Sequence, residues 1–316
     1  MKISVIIPIK NRASLIGQTL NSILAQTKRP YEIILVDDGS TDQLDLVLLK
    51  YKNDIILIKN SGSGPGAARN TGLKYSTGDI IQFFDSDDIM SVNKLEVQSA
   101  LLENDLGKGI VYGPYVPARW ENDQWIQSDV IMQYYPIPKR ELHQIVVEGW
   151  CSITQSCLFT RELLEKTGSW REDIMTHEDK EYWYRLGLIA PEPIHENKTI
   201  TIYRQHQQQI TDQLTKNLDR TLNGIAVFEF ILQEARRDKI PLLSQWILRG
   251  QIVNYKKYCN QHGMHYTISS KDKVYALLTK LFDKKGRLIT GTDWQPMHGV
   301  NSSRTEFEKS LHLLSV

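Results

Sequence analysis

Three carboxylates, Asp85, Asp87 and Asp88, follow directly on the apolar run Ile80-Ile81-Gln82-Phe83-Phe84. Like charges crowded at a strand tip repel one another unless a cation offsets them. Hard oxygen ligands suit Mg²⁺ or Mn²⁺, ions that commonly keep some waters, take one or two protein carboxylates and hold a substrate's phosphates. The cluster therefore points to a phosphate-bearing substrate. The ordinary alternative is an acidic loop that caps the next helix.

Other polar clusters carry similar double readings. Asp37-Asp38-Gly39-Ser40-Thr41-Asp42 can terminate a strand and cap a helix, or face a ligand. Ser61-Gly62-Ser63-Gly64-Pro65-Gly66-Ala67-Ala68-Arg69-Asn70 sets glycines before a helix, where free amides attract phosphate. Its spacing departs from G-x-G-x-x-G and it follows the third strand, so a dinucleotide-binding dehydrogenase is disfavoured. Thr176-His177-Glu178-Asp179 reads as a helix start with acidic residues favourably placed in its first turn. Tyr203-Arg204-Gln205-His206 sets one histidine near a strand end, where a lone imidazole commonly serves only as a hydrogen-bonding group.

Short β-branched runs alternate with helical patterns through the first 115 residues. Ile3 to Ile9, Glu32 to Val36, Ile55 to Ile58, Asp79 to Phe84 and Gly109 to Tyr112 read as strands, with helices after Asn11, Thr41, Gly66 and Ser91. This is the pattern of a mostly parallel α/β sheet flanked by helices. Ligands of such sheets lie beyond the carboxyl ends of the strands. The clusters at Pro8 to Arg12, Asp37 to Asp42, Ser61 to Asn70 and Asp85 to Asp88 follow strands one to four, so all should meet at one crevice.

Composition sets outer bounds. The chain has 316 residues, 41% hydrophobic and 24% charged, enough for one large core or a core with a smaller domain. No apolar stretch approaches the roughly 18 residues of a membrane span, and Ile3 to Ile7 is too short for a signal-peptide core. Three cysteines, Cys151, Cys157 and Cys259, make no complete disulfide framework and point to a reducing, cytoplasmic setting. Residues 216–316 hold 16 basic against 9 acidic residues, a balance of +7, and residues 1–215 hold 22 against 28, a balance of −6. The basic portion could approach anionic lipid, an acidic glycan or a protein partner, or form a lysine-rich solvated surface. No nucleic-acid partner is expected.

Taken together, the ordered motifs resemble the family 2 glycosyltransferases. These are Ser4-Val5-Ile6-Ile7-Pro8 with Asn11-Arg12, Ile34 to Asp42, Gly66-Ala67-Ala68-Arg69-Asn70 and Phe84-Asp85-Ser86-Asp87-Asp88, followed by Glu178-Asp179 with Trp183 and Arg185. The likeness spans about residues 3–206. It implies the GT-A fold and transfer of a sugar from a nucleoside diphosphate, with inversion, to a hydroxyl of a glycan or lipid-linked saccharide. It further implies that Asp38 accepts a hydrogen bond from the base, with UDP favoured, and that Pro8 to Lys10 border that base. Asp85 and Asp87 match the DXD motif: Asp87 would ligate Mn²⁺ or Mg²⁺, Asp85 or Ser86 would touch ribose or donor sugar, and Arg69 would lie near the nucleotide. Asp179 becomes the candidate general base, and His206 a further metal or diphosphate ligand. Two departures stand out. Ile9-Lys10-Asn11 replaces the family's common Thr-Tyr-Asn, and Ser91-Val92-Asn93 lacks the proline often found there.

The expected organisation is a GT-A domain at 1–215, with nucleotide-binding residues 1–115 and acceptor residues 116–215, and a helical extension at 216–316. Residues 112–132 resemble a hairpin around Glu121-Asn122-Asp123, and Trp120, Trp125, Trp150 and Trp170 could offer flat faces to sugar rings or serve as packing. In the extension, Leu222, Ile225, Ala226, Ile231 and Leu232 fit one helical face, and Leu242, Leu243, Trp246, Ile247 and Val253 another. Cys259, His262 and His265 are too few for a zinc site. The tail from Gly286, rich in Gly, Ser and Thr, reads as partly mobile. Two other classes compete, a sugar-nucleotide-binding protein without transfer activity and a nucleotidyltransferase; the second should carry its glycine-rich loop after the first strand.

Overall fold

The computed structural model describes residues 1–105, 108–190, 192–206, 218–284 and 300–301. Strand β1 (Ile3–Ile9) is buried almost throughout, and its side chains alternate between two cores. Ile6 packs with Ile34, Val36, Ala68 and Phe83 on one face, while Val5, Ile7 and Ile9 pack with Ile16, Leu20, Ile33 and Leu35 on the other. Burial on both faces is why this strand reads as a continuous apolar run.

The nucleotide-half elements follow as α1 (Ala13–Leu24), β2 (Glu32–Asp37), α2 (Leu44–Leu48), β3 (Ile56–Lys59), α3 (Gly64–Tyr75), β4 (Ile80–Phe83), β5 (Ile89–Met90), α4 (Lys94–Asn104) and β6 (Ile110–Tyr112). Next come β7 (Tyr115–Glu121), β8 (Gln124–Gln127), β9 (Val130–Ile131), α5 (Leu142–Val147), β10 (Cys157–Thr160), α6 (Arg161–Thr167), α7 (Glu178–Ile189), β11 (Ile194–His195) and β12 (Thr201–Gln205). Helices α8 (Leu218–Arg237), α9 (Leu242–Gln261) and α10 (Ser270–Lys284) complete the described body.

The main sheet has seven strands in the order β11-β6-β10-β4-β1-β2-β3, and only β10 runs against the rest. Chain order reverses between β1 and β4, so the crevice opens beyond their carboxyl ends. A second sheet, β5-β12-β7-β8, ties the segment after Asp88 to the strand that delivers Arg204 and His206. The fold is therefore α/β, with a mostly parallel sheet and C-terminal helices. The expected hairpin is β7–β8, closed by Asn122 and Asp123, both with positive φ (52° and 59°), the signature of a type I′ turn.

Some expectations are corrected. Helix α3 begins at Gly64 rather than after Gly66, because Pro65 sits in its first turn where a preset φ is useful. In the extension, Ala226, Leu242 and Trp246 are exposed. The expected Ile225, Ile231, Leu232, Ile247 and Val253 are buried, and Val227 and Phe228 on α8 and Leu248 and Ile252 on α9 join them in place of the exposed residues. Helix α9 packs against both α8 and α10, and that tertiary partnership sets its phase. Trp150 and Trp170 are core residues, 4% and 2% exposed, so neither offers a free face to a sugar. The boundary expected at 215/216 lies outside the described residues, as does the tail from Gly286 except for Val300–Asn301, which pairs with β9. All three cysteines are free thiols.

One helix approaches the sheet so closely that only glycine fits. A Cβ at Gly72 of α3 would stand 2.2 Å from Ile6 Cγ2. Gly72→Ala gains about 1 kcal/mol of helix propensity, but overpacking costs about 1–3 kcal/mol and should win. We expect a lower urea midpoint with unchanged slope.

Beneath the sheet, Lys94 is fully buried and donates to Gln98 Oε1 at 2.8 Å and to Gln82 Oε1. Burial pushes its pKa from 10.5 down to about 7. Between those values the unfolded chain holds a proton that the native state lacks, so this group's contribution to stability rises with pH across that window. Denaturant titrations from pH 7 to about pH 10 should show the rise, and Lys94→Met should flatten it.

Candidate active site

Each chemistry-bearing segment emerges at the same end of the sheet. After β1, Lys10 Nζ reaches Asp38 Oδ2 at 3.2 Å, while Asn11, in the left-handed region, accepts from Thr41 N at 2.7 Å. Asp38 is largely satisfied within the protein. Asn60 Nδ2 donates to its Oδ1 at 2.6 Å, and Gly64 N lies 3.1 Å from both oxygens, so Asp38 caps α3. Pro8 pairs with Val36 behind this knot and is partly exposed.

The acidic cluster lies beyond β4, with ligand atoms of Asp85, Asp87 and Asp88 within 4.8 Å of one another. Their surroundings differ sharply. Asp87 Oδ2 is met by Arg12 Nε at 3.1 Å and His206 Nε2 at 3.0 Å. Burial opposes its charge, but the His206 hydrogen bond and the Arg12 guanidinium outweigh that, holding the carboxyl below its ordinary value. Asp88 Oδ1 accepts Arg204 N at 2.8 Å, and its Oδ2 accepts Gln155 Nε2. Burial, then Asp87 and Asp85, push its pKa well up. Asp85 is also raised, by burial first and then by Asp87 and Asp179 against the pull of Arg69, though with 35% of its side chain exposed water screens part of this.

Two arginines join the halves of the site. Arg69 of α3 donates to Glu178 Oε1 at 2.9 Å, lies 3.5 Å from Asp85 Oδ1 and stacks over Trp170 at 4.6 Å. Arg204 of β12 is fully buried. Its guanidinium donates to the Asp87 carbonyl, to Gln18 Oε1 and to Thr19 Oγ1 at 3.1 Å, under the ring of Trp125. It clamps the acidic loop to α1. Ser86 is 6% exposed, and its carbonyl accepts Thr19 Oγ1 at 3.1 Å.

Across the site, Asp179 sits in the first turn of α7. Its Oδ1 accepts Lys180 N at 2.8 Å and its Oδ2 faces the Cys151 thiol at 3.8 Å. Glu178 has its pKa raised by burial, against Arg69 and with help from Asp179. Thus Lys10 and Asp38 meet at one side, Asp85, Asp87 and His206 at the centre, and Arg69 links that centre to the Glu178-Asp179 turn.

The donor set fits a hard divalent cation. Among the described residues no hydrogen bond reaches Asp87 Oδ1, and Asp85 is partly open to solvent, whereas both oxygens of Asp88 are taken. Asp88 lies in the same cluster, with each of its oxygens also accepting one hydrogen bond from the protein. Sequence reasoning assigned no role to Arg12, Asn60, Cys151, Gln155 or Arg204. A usable signal existed for Arg204, which shares a strand face with His206.

The model of the family described as Glycosyl transferase family 2 matches residues 4–168, just over half the chain. The chain belongs to that family. Asp179 and His206 lie beyond the match, so their place in the site rests on geometry. An uncharacterized glycosyltransferase of Rickettsia conorii is 29% identical over 221 residues, covering 68% of this chain and 36% of that protein. The Escherichia coli UDP-Glc:alpha-D-GlcNAc-diphosphoundecaprenol beta-1,3-glucosyltransferase WfgD is 38% identical over 116 residues, 36% of this chain and 45% of its own. The chain thus spans about a third to a half of the length of these relatives. A crystal structure of Staphylococcus aureus TarS 1-349 in complex with UDP superposes with a TM-score of 0.55 at 18% identity, over 93% of each chain. At that identity the likeness is one of fold, the GT-A arrangement.

Arg204→Lys keeps the charge but cannot bind the Asp87 carbonyl, Gln18 and Thr19 together. We expect a loss of about 3 kcal/mol in stability and a tenfold or greater weakening of Mn²⁺-dependent nucleotide binding, read by chemical denaturation and calorimetry.

Proposed function

We propose that this chain is an inverting, metal-dependent glycosyltransferase that moves a sugar from a nucleoside diphosphate, UDP favoured, to a hydroxyl of a glycan or lipid-linked saccharide. The observation that carries the reading is the pairing of a divalent-cation cluster at Asp85 and Asp87 with a carboxylate, Asp179, across the Arg69–Glu178 bridge. The UDP complex of TarS and the UDP-Glc donor in WfgD's name support the choice of nucleotide.

Asp87 and Asp85 would hold Mn²⁺ or Mg²⁺, with His206 orienting Asp87. When bound, such an ion would supply positive charge that offsets the charge growing on the departing nucleotide. Lys10 and Asp38 would border the base, and Ser86 the ribose or donor sugar. Asp179 Oδ2 would accept the acceptor hydroxyl's proton as that oxygen attacks the anomeric carbon opposite the leaving group. General-base help of this kind supplies about 10²- to 10⁴-fold.

Residues 1–215 form the catalytic unit in this reading, with 216–316 as a helical extension. No helix among the described residues is long and apolar enough to cross a membrane. A peripheral position at the inner membrane face is supported by the basic C-terminal portion and by Leu242 and Trp246 on α9 and Val274 and Leu277 on α10, all exposed, with Lys271 and Lys273 also exposed on α10.

Melting temperature with UDP, GDP, CDP and dTDP, each with Mn²⁺, Mg²⁺ or EDTA, tests the nucleotide. A ligand at 100 times its Kd adds about 2.7 kcal/mol, so UDP with metal should shift the transition and EDTA should abolish the shift. Stabilisation by another diphosphate alone would overturn the base assignment. Asp87→Asn should weaken metal-dependent UDP binding at least tenfold, while Asp179→Asn should leave binding within about twofold and lower transfer at least a hundredfold. Equal loss of binding in both would refute the division of roles.

A further inference from the structure

We infer that helices α8 and α9 hold the turn bearing Glu178 and Asp179 in place, with His177 as the positioning residue that connects them to it. The inference rests on the reading of Asp179 as the base. His177 stands at the N-cap position of α7 with φ 64° and ψ 16°, a left-handed conformation costly for a residue with a Cβ. Such a conformation persists only where the surroundings over-determine it.

Those surroundings come from more than forty residues further along the chain. His177 Nε2 lies 3.3 Å from the Tyr255 hydroxyl of α9. Its ring meets Phe228 of α8 edge-on at 5.6 Å and Tyr255 at 6.0 Å, and those two rings stack on each other at 5.4 Å. Lys180, one residue beyond Asp179, sets its ammonium 5.2 Å over the same Phe228 ring. Gly224 of α8 leaves the room this needs, since a Cβ there would stand 2.6 Å from Tyr255 Cε2 and 3.1 Å from His177 Cε1. Both flanks of the Glu178-Asp179 pair are therefore gripped by one aromatic pair.

A change of φ at His177 swings the start of α7, and with it Asp179, relative to Asp85 and Arg69. Misplacement of a reacting group by about 1 Å can cost about 10²-fold in rate. Helices α8 and α9 of the extension thus support the geometry of the catalytic unit formed by residues 1–215.

The test uses the full chain. Tyr255→Phe deletes the hydroxyl and keeps the stack; His177→Gly keeps the left-handed turn accessible and deletes the anchor. Hydrogen exchange should quicken about tenfold across residues 176–181 in both variants and stay within twofold at residues 83–88. The kcat for UDP release from the UDP-sugar that the wild-type chain turns over should fall about tenfold in Tyr255→Phe and further in His177→Gly, with Mn²⁺-dependent UDP binding and donor KM unchanged. Unchanged exchange, wild-type kcat, or a joint loss of UDP binding and turnover would each overturn the inference. Asp179→Asn is measured alongside. If it retains transfer, the base reading itself fails; if it is inactive while both other variants turn over normally, only the role of the helices fails.

Discussion

Carboxylates gathered at one strand end repel each other, and the rest of the site is arranged around containing that repulsion. Three guanidiniums from separate elements converge on them. Arg12 takes Asp87 from the end of β1, Arg69 takes Asp85 from α3, and Arg204 grips the loop's backbone from β12. Each arginine is itself nearly buried, so each desolvated cation needs the acids as much as they need it. Charge balance of this kind adds to the hydrophobic core that β1, α3 and α7 already share and ties β12 to the acidic loop.

The balance also separates the three acids by role. Asp87 stays in its charged form beside Arg12 and His206, Asp88 is pushed toward its neutral form while spanning Gln155 and Arg204, and Asp85 lies between them at the solvent edge. One short stretch of sequence thereby places three carboxylates in three different electrostatic settings. The Arg69–Glu178 contact extends the same logic to the turn carrying Asp179.

Much of this was legible in the residues. The strand bounds of β1 and the convergence of four polar clusters follow from alternation and from the rule that ligands sit at carboxyl strand ends. What escaped was decided by long-range packing. Nothing local to Arg204 says that it will be buried under Trp125, nor does Trp170 announce its stack on Tyr182 at 3.9 Å. The exposed Ala226, Leu242 and Trp246 show the same limit, since helical periodicity gives a face but its partners choose the phase. Asp38 was read as facing a base, and its three internal contacts are visible only once Lys10, Asn60 and Gly64 are folded around it.

Strand β12 has a bearing on how the molecule comes together. The hydrogen bonds from Arg204 to Asp87 and Asp88 close loops of 117 and 116 residues, and among the described strands β5 pairs only with that same late segment. Contacts so distant along the chain form late, because loop closure must be met before they repay it. The parallel strands β1 to β4 can therefore assemble on a nascent chain while the acidic loop between β4 and β5 still lacks its clamp. The hydrogen bonds that fix its final shape wait on synthesis of residue 204, so the acidic cluster is completed by one of the last strands of the crevice to be made.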